Sequence, residues 1–379
     1  MDVEKALELI KRSPTEEILT EDRLAEALQS GQRLRHYIGF EISGFVHLGT
    51  GPLSMSKVVD LQKAGIKTSV FLADYHTWIN KKLGGDMDTI KRIANNYFKE
   101  SLKVSIRSAG GDPEETEFIL GSELYEKLGR GYFENVLKVA STMSLSRARR
   151  STTVLGRKEG DDISLSQLIY VPMQAADIYS MGVNIAHAGM DQRKAHVVAL
   201  DVSKEFGYEP VAVHHHLLTG IHMTEEQRQS IIAAKNEKNR ELLDQQLIDV
   251  KMSKSKPESA VFIHDSEEAI RKKIMGAFCP MKEVNLNPIM DISNYIVWPY
   301  LIRKKEEFEI VNKKKNTSKN YKTQNDLQNA YQNGDIHPMD MKEAVAGYLI
   351  GMLEPARKYF LEGAGKKYLE DLEGIKITR

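Results

Sequence analysis

The chain has 379 residues, with 53 Lys+Arg against 53 Asp+Glu, and 41% hydrophobic residues. At about 150 residues per domain this length predicts two domains and a sizeable core, and the neutral balance excludes a globally basic nucleic-acid coat. Any RNA partner must be held by local patches. One cysteine, Cys279, excludes an intrachain disulfide framework and any zinc site built on several thiolates. A reducing, cytoplasmic setting is expected. MDVEKALELIKRS at the start is charged and lacks the apolar stretch of a secretory signal. No apolar run approaches the ~18 residues of a membrane span.

In chain order, residues 2–30 read as two short helices. Ser13-Pro14-Thr15-Glu16-Glu17 supplies a break, a cap and an acidic first turn. HYIGFEI (36–42) is a short apolar β-rich run, ended by Ser43-Gly44. A helix is predicted from about 50 to Gly65, a strand over 68–74, helix over 86–108 and a strand over 117–122. Later strands are predicted within 184–192 and 210–218. Nearly continuous apolar strands alternating with helices predict an α/β fold: a Rossmann-like, doubly wound parallel sheet. Residues 221–250 are polar with helical spacing of Ile and Leu, a peripheral helical insertion. Then 251–265 reads as a loop leading into a strand, and Ser266 caps a helix to about 277. Cys279-Pro280 and Asn287-Pro288 mark a boundary. This predicts a catalytic domain over 1–278 and a mostly helical domain over 279–379, with a basic polar stretch at 312–325.

Three constellations carry chemistry. In YIGFEISGFVHLGT (37–50) a strand runs into His47-Leu48-Gly49-Thr50, which opens a helix. Helix N-termini offer free N–H groups to phosphate, and Gly49 lets a nucleotide approach the backbone. A capped helix start with an ordinary histidine is the plain alternative. Lys251-Met252-Ser253-Lys254-Ser255 places two lysines, point charges suited to phosphate, in a loop. The plain alternative is a solvated basic turn. In LIYVPMQAADIYSMG (168–182), Tyr170, Gln174 and Asp177 fall within about 60° of one helix face. Pro172 fits the first turn of such a helix. His214-His215-His216 is a tempting metal site, but strand neighbours point to opposite faces, so three in a row cannot hold one ion.

Together, HLGT and KMSKS resemble the HIGH and KMSKS motifs of class I aminoacyl-tRNA synthetases, with Thr50 in place of the last His. YIGFE-SG, FLADYH, YVPMQAAD, GMDQRKAH, KMSKS, HPMDMKEAV and IKITR resemble the archaeal and eukaryotic tyrosyl-tRNA synthetase family. That resemblance covers nearly the whole chain. It implies that Tyr170 and Gln174 hold the α-amino group of tyrosine. Asp177 and Tyr37 share its phenol, Gln192 lies near the amino acid, and His76 walls the pocket. It implies that His47, Gly49, Thr50, Lys251 and Lys254 act on ATP, that Asp191 meets the ribose, and that magnesium arrives with ATP and no tightly held metal is needed. For the RNA partner, tRNA(Tyr), it implies Arg150 and Arg193 at the acceptor stem and Asp340 at the anticodon. It also implies a homodimer. One departure stands out: Asn316-Thr317-Ser318-Lys319 lies where relatives carry an aromatic turn that stacks an anticodon base. The competing functions are a synthetase for tryptophan or a tyrosine analogue, and a catalytically dead tRNA-binding protein.

Overall fold

The computed structural model of the chain describes residues 2–156, 162–253, 257–312 and 315–375. Six strands form one sheet: β1 (Thr15–Leu19), β2 (Arg35–Phe40), β3 (Lys67–Leu72), β4 (Thr116–Leu120), β5 (Ile185–Gly189) and β6 (Val211–His215). Their order is β1-β6-β5-β2-β3-β4. β2 to β6 are mutually parallel, and β1 is antiparallel to β6. The chain steps outward from β2 through β3 to β4, then returns to build β5 and β6 on the other side. The order therefore reverses between β2 and β5, and a crevice opens at their carboxyl ends. HLGT lies beyond the carboxyl end of β2, and Asp191 and Gln192 lie beyond that of β5.

The doubly wound sheet is the predicted one, with an addition at its edge. Residues 15–19 form a strand, not the acidic first turn of a second helix. The helices are Val3–Lys11 and Glu21–Gln29. Thr15, Ile18 and Leu19 suit a pleated edge, and Ile18 packs on the cluster of Leu24, Ile185 and Val213. Pairing with β6 sets Glu17 opposite His214. A lone parallel edge is thereby covered.

A second difference concerns 251–265. The segment after the KMSKS loop makes no strand. It forms a single bridge, Phe262 to His47. The basic stretch at 312–325 supplies the second strand of a hairpin, β7 (Phe308–Asn312) with β8 (Thr317–Tyr321). Asn316 turns it with a φ of +50°, a conformation asparagine tolerates better than most residues. The insertion is helical as predicted, Glu225–Asn236 and Arg240–Val250.

One apolar cluster runs from Ile38 and Val70 in the sheet through Ile270 and Ile274 to Met290, Leu349 and Phe360. A buried ionic knot reinforces this junction. Asp60 meets Lys57 at 3.3 Å, Arg303 at 3.5 Å, and Arg12. Burial lowers the Lys57 ammonium to about 8, although Asp60 opposes the shift. Lys57 also donates to the carbonyls of Leu9, Ile10 and Arg12 at 2.8–3.1 Å, closing the C-terminal end of the first helix. The helix that follows HLGT is thus tied to both ends of the chain.

Candidate active site

The crevice is built first by HLGT. A wide π turn, Gly49–Leu53, leads into the helix Ser54–Lys63. The turn is held from outside: Leu48 N–H donates to Val261 O at 3.0 Å, and Ile263 N–H donates to Val46 O at 3.1 Å. The segment after the KMSKS loop therefore braces HLGT. His47 is buried. Its Nδ1 accepts from Gly49 N–H, and its Nε2 meets Thr50 Oγ1, both at 3.1 Å. A Cβ on Gly49 would stand 3.1 Å from His47 Cε1. The glycine makes room for that imidazole. Thr50, in place of a histidine, clamps His47.

Across the crevice, Lys251 Nζ donates to Asp191 Oδ2 at 2.5 Å. Burial would raise the Asp191 carboxyl, but Lys251 outweighs it and holds the pKa below the ordinary aspartate value. Met252 is buried, its N–H on Leu218 O at 2.6 Å. The first half of the KMSKS loop is therefore anchored beside the β5 end. Lys254 lies outside the described residues.

Tyr170, Gln174 and Asp177 project from the helix Leu165–Ser180. Ser164 caps it, with Gln167 returning the bond. Because the helix begins there, Pro172 sits in its interior and not in its first turn. Pro172 has no N–H for the carbonyl of Leu168. The three polar side chains do share one face. Tyr170 Oη donates to Glu41 Oε1 at 2.8 Å, and Gln174 Nε2 donates to Gln192 Oε1 at 3.3 Å. Asp177 is buried, and its Oδ1 accepts from Tyr125 Oη and Tyr132 Oη, each at 2.9 Å. Burial pushes its carboxyl up to about 8, against the pull of those two bonds. Tyr37 reaches the same place from β2, buried edge-on against Phe71 at 6.3 Å between centroids. Burial and the Asp177 charge push its phenol up, so it stays protonated.

His76 stands edge-on to Tyr170, with centroids 4.6 Å apart, and its Nε2 is 3.7 Å from Asp177 Oδ2. Burial lowers it to about 4, so it is neutral at pH 7. Both His76 ring nitrogens and Gln174 Oε1 are buried without a hydrogen-bond partner. Buried polar atoms left unpaired are costly. Lying close to Asp177, they are atoms that a polar ligand could pair.

The family described as tRNA synthetases class I (W and Y) matches residues 29–354. A tyrosine–tRNA ligase of Thermococcus gammatolerans is 48% identical over 393 residues, covering 100% of both chains. The chain belongs to the tyrosine group of the class I tRNA synthetases. A tyrosyl-tRNA synthetase of Pyrococcus horikoshii, solved with L-tyrosine, is 44% identical and superposes with a TM-score of 0.88, covering 99% of this chain and 100% of that one. A tryptophanyl-tRNA synthetase of Aeropyrum pernix, 18% identical with a TM-score of 0.64 over 96% of this chain and 86% of its own, shares the fold.

The side chains assigned to RNA are more dispersed in this synthetase. Arg150 is exposed at the end of the helix Leu145–Ser151. Arg193 is half-buried, and its Nε donates to both oxygens of Glu17 at 3.0 and 2.8 Å. Glu17 also meets His214 Nδ1 at 2.9 Å, and His214 Nε2 meets His196 Nδ1 at 3.0 Å. His215 turns to the other side of the sheet, onto His187 at 2.7 Å and Ser54 at 3.3 Å. His216 pairs with Glu16 and Asp291. Burial opposes its charge, but those two carboxylates raise it to about 9. The three histidines thus have three separate sets of partners. Among the described residues no group of three His, Cys, Asp or Glu side chains could hold a metal. Asp340 lies in the first turn of the helix Pro338–Arg357, and the cap is His337, whose side chain accepts from Met339 N–H at 3.1 Å.

The sequence does not single out Tyr125, Tyr132 or Glu41 for the site, and it gives Glu17 only as part of an acidic helix start. Glu41 lies inside the YIGFE-SG motif. Tyr125 and Tyr132 reach the site only through tertiary packing, and no local pattern marks them.

Proposed function

We propose that this synthetase activates L-tyrosine with ATP and passes the tyrosyl group to tRNA(Tyr). The tyrosine carboxylate attacks the α-phosphate of ATP, forming tyrosyl-adenylate as pyrophosphate leaves. A ribose hydroxyl at the tRNA 3′ end then attacks the adenylate carbonyl, and AMP leaves. The first step needs no general base, because the nucleophile is already ionised. Catalysis is positioning together with stabilisation of charge on the pyrophosphate.

The observation that carries the tyrosine reading is the Asp177 carboxyl beside the unpaired nitrogens of His76 and the unpaired oxygen of Gln174. Asp177 and Tyr37 take the phenol, with His76 as the wall. Tyr170, Gln174 and Gln192 hold the α-amino end. His47, Gly49 and Thr50 face the ATP phosphates from one side, and Lys251 and Lys254 from the other. Asp191 takes the ribose hydroxyls once Lys251 shifts to the phosphates. Magnesium enters with ATP, bound largely by phosphate oxygens and water. The catalytic residues precede position 279, and Asp340, proposed to accept from an anticodon base, follows it. ATP–pyrophosphate exchange that depends on tyrosine tests this reading.

Arg150 and Arg193 are proposed to meet the acceptor stem. Arg193→Ala is expected to weaken aminoacylation while sparing exchange, because tRNA enters only in the second step. Equal loss in both assays would move Arg193 into the adenylation site.

A homodimer is the proposed assembly, in a cytoplasmic setting. No helix among the described residues is long and apolar enough to cross a membrane. Phe133 is 61% exposed and Leu137 50% on the helix Arg130–Ser141, and Leu165 is 77% exposed on the helix packed against it. Such apolar exposure supports an interface on this face. Light scattering is expected to give twice the chain mass, and Phe133→Glu with Leu137→Glu to give the chain mass alone. A monomeric wild type would remove the dimer.

A further inference from the structure

The two oxygens of Asp177 are not equivalent. Oδ1 accepts from Tyr125 and Tyr132, each at 2.9 Å. Oδ2 has the His76 ring nearby at 3.7 Å, beyond hydrogen-bond distance. The two tyrosines come from successive helices, Gly121–Leu128 and Arg130–Ser141. Gly129 joins them with a φ of +52°, a left-handed conformation that favours glycine. This turn brings the rings into a stack with centroids 3.8 Å apart and planes 19° from parallel. Phe71 and Tyr75 pack against Tyr125 from outside. Both hydroxyls therefore arrive on one oxygen with little freedom to leave it.

We propose that Tyr125 and Tyr132 are specificity-determining positioning residues. By occupying Oδ1 they aim Oδ2 at the substrate's phenol and favour the ionised, hydrogen-bond-accepting carboxylate against the burial that opposes it. This rests on reading Asp177 as the phenol partner.

The surrounding groups agree. Burial and the Asp177 charge push both phenols up, so both remain donors. Asp177 faces Tyr125 and Tyr132 from their two helices, His76 and Asp74 from the helix Asp74–Ile79, Tyr37 from β2 and Tyr170 from its own helix. His76 is neutral. The Asp74 charge disfavours ionisation of Asp177, and the Tyr125 and Tyr132 bonds favour it. Removing one of those donors therefore makes Asp177 harder to ionise.

The test is exchange kinetics of Tyr132→Phe and Tyr125→Phe with tyrosine and phenylalanine. Each change deletes one hydroxyl and keeps the ring in the stack. The kcat/KM for tyrosine at pH 7 is expected to fall roughly tenfold, mostly in KM, with phenylalanine little changed. The midpoint at which the tyrosine kcat/KM rises with pH should move upward. A merely structural role would lower both amino acids alike and leave the midpoint in place. An unchanged ratio and an unmoved midpoint in both variants would overturn the proposal. Asp177→Leu serves as the separate arm. If it collapses the ratio while both Phe variants keep it, the positioning role alone fails. If Asp177→Leu also keeps the ratio, the phenol reading of Asp177 fails with it.

Discussion

Lys254→Ala is expected to slow tyrosine-dependent ATP–pyrophosphate exchange by roughly 10²–10³, the usual loss when one transition-state donor is removed. The anchoring of the loop supports this. Met252 is buried and Lys251 is paired with Asp191, so the loop leaves the core beside the carboxyl end of β5, where the ribose is proposed to lie. The next lysine along, Lys254, is the one proposed to act on the pyrophosphate. Charge builds up there only as the α-phosphate bond breaks, so the substitution should lower kcat and leave the KM for tyrosine nearly unchanged. Unchanged turnover would remove Lys254 from the ATP site.

Asp177→Leu should lower the preference for tyrosine over phenylalanine by roughly ten- to a hundredfold, since leaving a buried polar group without its partner costs about 1–3 kcal/mol. The apolar side chain removes the acceptor, and the pocket no longer penalises a substrate without a hydroxyl. Tyrosine activation should itself weaken, because its phenol loses a partner. Gln174→Ala should behave differently. It loosens the α-amino end, which both amino acids share, and so should reduce both alike. The readout is the ratio of exchange kcat/KM values for the two substrates. A wild-type ratio in Asp177→Leu would separate Asp177 from the phenol.

Much of the architecture is legible because its signals are local. Apolar runs at strand length, glycine stops and Ser or Thr caps located five parallel strands and the intervening helices. HLGT, KMSKS and the Tyr170, Gln174, Asp177 face are contiguous or one-helix patterns, and tertiary packing keeps them together. The misreadings have physical causes. Thr15-Glu16-Glu17 after a proline has the composition of a helix start, and only His214 in β6 and His216 just beyond it, far along the chain, give those carboxylates a reason to lie in a strand. Pro172 looks like a first-turn residue unless the Ser164 and Gln167 caps are recognised upstream. Val261-Phe262-Ile263 has strand composition, yet its backbone bonds to Val46 and Leu48 and bridges to His47 without joining a sheet. Tyr125 and Tyr132 look like ordinary amphipathic-helix aromatics, and their roles arise only when Asp177 is packed against them.

The most direct measurement of the central claim is ATP–pyrophosphate exchange on the purified full chain, with tyrosine, tryptophan and phenylalanine supplied separately. The pocket built around Asp177 predicts rapid exchange with tyrosine, none with tryptophan, and a trace with phenylalanine. Exchange driven by tryptophan, or no exchange with tyrosine, would contradict it.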